Sequence, residues 1–498
     1  MSRVVVVGAG VGGLAAAVRC AEAGHRVTVL EASGAPGGKA GRLERDGFSF
    51  DTGPSLLTMP WVFEELLGDR VSLMPVEPVT RYRFADGSTV DLSADRDRAR
   101  EALEAWSPGA GDDWLRFLRT CDAMWEASVP VLTGPPPWPP RKPGPGDPPP
   151  DPRALWKVKP WHTVRTLARA HARDPRLQTL IERFATYAGA DARRAPAALA
   201  VAGYVEHAFG AWHVRGGIYT LVTALVARLE ELGGELRFHT PADGLLRRSA
   251  RGVTGAAPPA GAGRGDRVSA VLTPGGPVEA DWVIWNGDAA TLDPLLGRGP
   301  DPARTLARRR ELPERSVSGY VLLLGLRGRT PGLTHHTIAF PESYDAELDD
   351  LFARRRPVAD PTLYVSTSAL TDPGEAPDGD ENWFVLVNAP AGLDAAAYDG
   401  YEEHLLARLA AAGLDPAERI AARARRTPHD LERETGAVGG AIYGAAPHGR
   451  LGTLGRPGPT VRGVPNLLRV GGTAHPGGGL PLVALSGALA ARLVGPAA

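Results

Sequence analysis

Glycine and acid at fixed spacing are the residue types here with the clearest chemistry. Gly8, Gly10 and Gly13 make a G-x-G-x-x-G turn with Gly12 inside it. Glu31 follows about 20 residues on, at the spacing of a ribose-binding acid. The apolar run Val4 to Val7 leads into the turn, and an Ala-rich segment leads out of it. Strand, glycine turn and helix in that order hold a dinucleotide. Gly8 permits the tight turn, Gly10 lets a pyrophosphate approach the backbone, and Gly13 lets the helix pack on the strand. The helix N-terminus then faces the phosphates.

Two further clusters extend this reading. Gly37, Gly38, Lys39 and Arg42 put bare backbone and two cations close to the first turn. Arg42 is expected to meet a phosphate bidentately. Asp51, Thr52, Gly53, Pro54 and Ser55 follow as a second tight turn. An NAD unit has no need of that second segment, whereas a dinucleotide with a bulky far end, such as FAD, uses it. Near the other end of the chain, Gly471, Gly472 and Thr473 lead into His475, Pro476 and Gly477 to Gly479. Leu480, Pro481, Leu482 and Val483 then open an apolar helix. That helix N-terminus offers partial positive charge to an anionic or electron-rich group. His475 is the one histidine in a candidate site. No Ser/His/Asp set, carboxylate pair or metal-ligand spacing stands out, so no metal is expected.

The elements that must position these clusters read as α/β. The strands are expected at residues 27–30, 236–238, 268–272 and 282–285, with a helix at 218–232 stopped by Gly233 and Gly234. Further strands are expected at 317–324 and 382–387, and a helix at 401–412. Residues 134–152 are so rich in proline that they read as a loop interrupting a domain. Aromatic residues between 60 and 130 read as core. Residues 255–265 read as a Gly/Ala/Pro loop, and the arginine runs at 308–310 and 354–356 as solvated faces.

The chain has 498 residues, 43% hydrophobic and 23% charged, which suits a globular protein of several domains. A net charge of −1 gives no case for nucleic acid. Two cysteines exclude a disulfide framework or a zinc spacing. No signal peptide is visible, and no run approaches the ~18 apolar residues of a membrane span. The expectation is a cytoplasmic protein. Trp138, Trp156 and Trp161 lie near Lys142, Lys157 and Lys159, a combination suited to peripheral contact at the inner face of the membrane.

The stretches G-A-G-V-G-G-L-A-A-A, P-G-G-K-A-G-R, F-D-T-G-P-S-L-L-T-M-P and G-G-T-A-H-P-G-G-G-L-P-L-V-A-L-S-G resemble the bacterial phytoene desaturase-type carotenoid oxidoreductases. These are FAD enzymes within the amine-oxidase-like flavoproteins. The family's usual Ser-Asn-Ala-Asp is Trp285-Asn286-Gly287-Asp288 here. The resemblance implies a Rossmann-type FAD-binding domain assembled from discontinuous segments, mapped to 1–74, 200–300 and 455–498. An α+β substrate domain would take 75–199 and 301–454. It also implies roles. Gly8, Gly10 and Gly13 hold the pyrophosphate, Glu31 the adenosine ribose, and Gly38, Lys39 and Arg42 lie along the phosphates. Gly53, Pro54 and Ser55 approach the isoalloxazine, and Ala242 contacts adenine. Gly472, Thr473, Leu480, Pro481 and Val483 close over phosphate, ribityl and ring.

The implied activity is desaturation of a long apolar polyene, phytoene-like or hydroxylated. Flavin takes the hydride, and oxygen or a quinone reoxidises it. Grip on such a substrate comes from apolar burial, at about 25 cal/mol per Å². The alternatives are a redox-neutral isomerase or saturase on the same scaffold, an amine-oxidase-like enzyme, and a non-catalytic escort protein. His475 is the expected source of polar assistance at the ring.

Overall fold

The computed structural model describes residues 1–134, 154–248, 266–296, 314–450, 452–453 and 455–497. Most of the proline-rich loop with Trp138 and Lys142, the 255–265 loop and the arginine run at 308–310 lie outside the described residues.

The valine run Val4 to Val7 becomes the strand Arg3–Val7 at the centre of a six-stranded sheet. Its neighbours are Arg26–Leu30 and Trp282–Trp285, both parallel to it. Glu235–Arg237 continues the sheet beyond one neighbour, and Val464–Arg469 with the short Thr460–Val461 beyond the other. A parallel sheet covered on both faces needs apolar residues at consecutive positions, which explains the unbroken valines. Val4 and Val6 face a core with Leu14, Val18 and Cys20 of the helix Val11–Glu22. Val5 and Val7 face the opposite core with Leu245, Val268 and Val271, from a small three-stranded sheet. Two more helices flank Val11–Glu22, Tyr219–Glu231 and Leu480–Val494. The last approaches so closely that a Cβ on Gly487 would lie 2.7 Å from the Ala16 amide.

A second, seven-stranded sheet carries the rest. Its order is Ile420–Arg426, Ser318–Leu326, Glu381–Ala389, Leu363–Ser366, His336–Ala339, Thr80–Arg83 and Thr89–Leu92. Only the pair Thr80–Arg83 with His336–Ala339 is parallel. A helical layer packs on its Tyr82 end, with Trp114 and Phe117 of Ala110–Thr133 at the centre, fully buried. The boundary expected at residue 200 falls at a helix that touches both bodies: Val201–Phe209 packs into this helical layer through Val201 and Tyr204 and against the first body's core through Val205 and Phe209.

The hairpin Arg42–Arg45 and Phe48–Asp51 joins the two bodies. Phe48 and Phe50 pack on Val321 and Phe384 of the second sheet. Asp51 reaches back to the first body and caps the helix Tyr219–Glu231, accepting from the Ile218 N–H at 2.6 Å and the Tyr219 N–H at 3.1 Å. Burial pushes its carboxyl up to about 6.

A buried acid in the second body gives the fold a pH dependence. Glu347 accepts from the Thr362 N–H at 3.0 Å and from the Thr362 hydroxyl, and is 1% exposed. Burial pushes its carboxyl from 4.5 up to about 7. The folded state therefore keeps this proton longer than the unfolded state. The associated stability is present below pH 4.5 and is lost as pH rises through 7, a change of about 3 kcal/mol. Glu347→Gln is expected to stabilise the protein at pH 8 by about that amount and to match wild type near pH 4.5. Urea denaturation of both proteins at the two pH values checks this; an equal difference at both would sink it.

Candidate cofactor and substrate site

The carboxyl ends of the parallel strands open onto one cavity of about 1450 Å³. That exceeds the roughly 300–1,000 Å³ of a single small-molecule site and leaves room for two occupants. Open α/β sheets bind ligands at such strand ends.

Gly8 turns there with φ +99°, and its N–H donates to the Leu30 carbonyl at 2.7 Å. The helix Val11–Glu22 starts at Gly10, which has no side chain to cap its first N–H groups. Those groups have no intrahelical partner. Gly479 leaves the helix Leu480–Val494 uncapped in the same way. Two bare helix N-termini thus border one cavity. Glu31 lines it as well. One carboxylate oxygen accepts from the Ala9 N–H at 2.7 Å, the other from the Ser33 N–H at 2.9 Å.

Gly12, Gly38, Lys39, Gly53, Pro54, Ser55 and Ala242 also line the cavity, as do Gly472, Thr473, Leu480, Pro481 and Val483. Gly53 sits where a Cβ would come 1.9 Å from the Lys39 carbonyl oxygen. The Lys39 ammonium donates to the carbonyls of Ala441 at 3.1 Å and Ile442 at 2.6 Å, and Ile442 is itself on the cavity wall. Burial lowers it to about 8. Thr473 accepts from the Ala289 N–H at 2.9 Å.

The geometry gives Arg42 and His475 contacts other than those expected, and leaves Gly13 the packing role of its motif position. Gly13 is off the cavity wall and serves packing: a Cβ there would lie 2.2 Å from the Gly8 carbonyl oxygen. Arg42 is off the wall too, its guanidinium 5.5 Å from the Tyr219 ring centroid. Strand alternation turns it toward Asp51 and Gly217 instead of toward a phosphate. His475 lines the cavity, but its Nε2 lies 2.9 Å from the Val131 carbonyl and 3.2 Å from that of Gly134. Burial lowers its pKa. A neutral ring donating to the end of the helix Ala110–Thr133 satisfies carbonyls that the helix leaves open. The ring is a strut between the last glycine loop and that helix.

Several wall residues escaped sequence reasoning. Asn286 lies among the glycines, its amide donating to the Gly8 carbonyl at 3.3 Å and its Oδ1 without a partner. Arg456, held down to about 10 by burial, donates to the carbonyls of Tyr443 at 3.0 Å and Gly472 at 2.9 Å. Ser55 shares a hydrogen bond of 2.6 Å with the Tyr364 hydroxyl. Arg183, Tyr187 and Glu206 add charge and polarity to the wall. The Arg183/Tyr187 pair had a signal, the i,i+4 spacing that puts both on one helical face.

Trp156 and Trp161 are exposed, and their rings stack at 4.7 Å. Val158, between them in sequence, lines the cavity. No helix among the described residues is long and apolar enough to cross a membrane. Against the expectation of no metal-ligand grouping, His213, Asp372 and Glu375 meet in the interior with potential ligand atoms within 4.8 Å of one another. Asp372 already accepts from the Gly216 N–H at 2.7 Å, and Glu375 from the Ser368 hydroxyl. The cluster ties the strand Trp212–Val214 to the 368–376 segment.

Residues 6–67 match the family model of the NAD(P)-binding Rossmann-like domain. Over nearly its whole length the chain is similar to proteins of one family. It is 34% identical to the hydroxyneurosporene desaturase of Rubrivivax gelatinosus, covering 98% of this chain and 92% of that protein. It is 32% identical to the zeta-carotene-forming phytoene desaturase of Myxococcus xanthus, covering 99% and 93%. The chain belongs to the phytoene desaturase-type carotenoid oxidoreductases. Other relatives of this carotenoid oxidoreductase include the 4,4'-diapolycopene oxygenase of a Methylomonas species, at 32% identity over 98% of this chain and 97% of that protein. Among solved structures, putrescine oxidase with bound putrescine superposes with a TM-score of 0.65 at 18% identity, covering 99% of each chain. An oxidoreductase from Methanosarcina mazei gives 0.63 at 17%, covering 98% and 99%. These two share the carotenoid oxidoreductase's fold.

Proposed function

We propose that this enzyme is an FAD-dependent carotenoid desaturase. It removes two hydrogens from a carbon–carbon bond of a long polyene and extends the conjugation. The single observation that carries this reading is the shape of the cavity. One wall is bare glycine backbone and two uncapped helix N-termini, and the same space continues between apolar side chains of both bodies. The first part suits a diphosphate, which needs N–H donors and close backbone approach. The cradle passes a simple fit test: side chains at Gly10, Gly12 or Gly53 would collide with Asn286 or with Lys39. Asn286 Oδ1 is buried beside it with no protein partner, ready for a donor from a bound group.

Bound FAD would supply the hydride acceptor; such chemistry belongs to the cofactor. The protein's residues do the rest. Glu31 stands where a ribose would be accepted, and Gly38, Gly472 and Thr473 bring backbone or small polar atoms to the wall. Leu56, Val201, Val205 and Leu386 line the apolar part, where a polyene gains by leaving water. Closing the substrate between the two bodies also excludes water from the reacting bond. The test is expression in hosts that accumulate phytoene or hydroxylated carotenoids. The expected outcome is a red-shifted pigment in at least one host; no change in net unsaturation in either would overturn the desaturase reading.

A further inference from the structure

The cluster of His213, Asp372 and Glu375 lies off the cavity wall and takes no part in the proposed chemistry. His213 comes from the strand Trp212–Val214, while Asp372 precedes and Glu375 ends the short 3-10 helix Pro373–Glu375. They are 1%, 7% and 6% exposed. His213 Nε2 stands 3.3 Å from Glu375 Oε1 and 3.8 Å from Asp372 Oδ2. Neither His213 Nε2 nor Glu375 Oε1 has a hydrogen-bond partner. The other carboxylate oxygen of Glu375 accepts from the Ser368 hydroxyl and, at 3.4 Å, from the Asn382 amide. Asp372 is held by the Gly216 N–H at 2.7 Å. Both acids are thus fixed from behind, and the open nitrogen and the open oxygen stand close to each other.

Buried carboxylates need an opposite charge or a metal ion. A protonated His213 is the simplest partner, and it would donate to one oxygen at about 2.7–2.9 Å. The observed 3.3 and 3.8 Å are longer, and no hydrogen bond forms. Two ligands each about 2.1 Å from a tetrahedral ion stand about 3.4 Å apart, which is the spacing found here. Charge gives the same answer. Asp51, buried nearby, is faced by Arg42, so Asp372 and Glu375 leave two negative charges beside a neutral imidazole. A divalent ion balances them. An imidazole with carboxylates suits zinc and its transition-metal neighbours better than magnesium or calcium, which take oxygen ligands alone. The outer hydrogen bonds from Ser368, Asn382 and Gly216 are of the kind that orient metal ligands.

We propose that His213, Asp372 and Glu375 form a structural site for a divalent transition-metal ion of the zinc class. Val214, beside His213, belongs to the core of the first body, and Ala369 and Ala376 of the 368–376 segment pack on the second sheet. The ion therefore clamps the two bodies together, away from the reacting bond. The site does not depend on the desaturase reading.

The test uses full-length, flavin-loaded protein without a histidine tag, stripped with a chelator and titrated with Zn²⁺ alone against a chromophoric competitor. The wild type is expected to take up about one ion per chain, with a rise in Tm. Ser368→Ala, which touches only the outer oxygen of Glu375, is expected to weaken binding about tenfold. His213→Gln and Glu375→Gln remove ligands and are expected to weaken it by about 100-fold or more, and to abolish the zinc-dependent rise in Tm. If His213→Gln does not fold, Glu375→Gln decides. A wild type that takes up no zinc overturns the site and leaves the cluster an ion pair. Uptake that Glu375→Gln leaves unchanged overturns it too, since the ion then sits elsewhere.

Discussion

Gly13→Val is expected to purify without bound flavin and to lose roughly 100-fold or more in turnover. Gly13 lies in the first turn of the helix Val11–Glu22, where a Cβ would stand 2.2 Å from the Gly8 carbonyl oxygen and 3.1 Å from the Asn286 side chain. Neither neighbour is a flexible side-chain tip. The Gly8 oxygen belongs to a turn fixed by the sheet, and Asn286 is itself packed among Gly10, Gly12 and Gly471. The helix must therefore lift from the strand end. That moves the N–H groups of Val11 and Gly12, which border the cavity, by something on the order of 1 Å. Overpacking alone costs about 1–3 kcal/mol, so the variant should still fold. Gly275→Ala is the control, since its Cβ would meet nothing closer than 3.8 Å. Visible flavin absorbance per protein and steady-state turnover are the measurements. A Gly13→Val protein with full flavin content would mean that this helix start does not hold the cofactor.

The largest stability loss is expected far from the cavity. Glu381 is 0% exposed at the start of the strand Glu381–Ala389. It accepts from Arg419 Nη2 at 2.7 Å, the Thr330 N–H at 3.1 Å and Trp383 Nε1 at 3.0 Å. Arg419 also donates to the Thr330 hydroxyl at 2.9 Å. Breaking a buried pair by removing one partner costs about 3–5 kcal/mol, because the other charge stays behind. Three neutral donors remain on Glu381 here, the Thr330 hydroxyl among them, so Arg419→Met is expected near the lower end, about 3 kcal/mol. Arg419→Met with Glu381→Gln should recover part of that loss, since no uncompensated charge is left. Urea denaturation of the single and double variants measures both. A single-variant loss below about 1 kcal/mol would show that the pair is not what holds the edge strand Ile420–Arg426 to the sheet.

What the sequence made legible was whatever is written locally. The valine run, the glycine turn and the acid at Glu31 sit within thirty residues, and the structure assembles them as expected. The helix expected at 218–232 is Tyr219–Glu231, and the strand expected at 282–285 is Trp282–Trp285. Arg42 was misleading because its neighbours are glycines, while its direction is set by hairpin register, which no motif states. His475 was misleading because the carbonyls it serves belong to a helix more than 300 residues earlier in the chain. The order of the seven-stranded sheet was illegible for the same reason: Thr80–Arg83 pairs with His336–Ala339 across some 250 residues. Arg183 and Tyr187 are neighbours in sequence, but the Tyr364 ring 6.0 Å from the Arg183 guanidinium comes from the strand Leu363–Ser366, far along the chain.

The six-stranded sheet takes strands from the beginning, the middle and the end of the chain. Translation delivers these pieces in sequence, at about 5–20 residues per second. Arg3–Val7 waits for Trp282–Trp285, and that strand waits for Val464–Arg469. The helix Leu480–Val494, which covers Val11–Glu22, emerges last of all. Until then the first helix can be covered only on the side that meets Tyr219–Glu231. The cofactor cradle is thus a product of release from the ribosome rather than of growth on it, and a chain stalled before residue 480 carries its most recognisable motif in a form that cannot close.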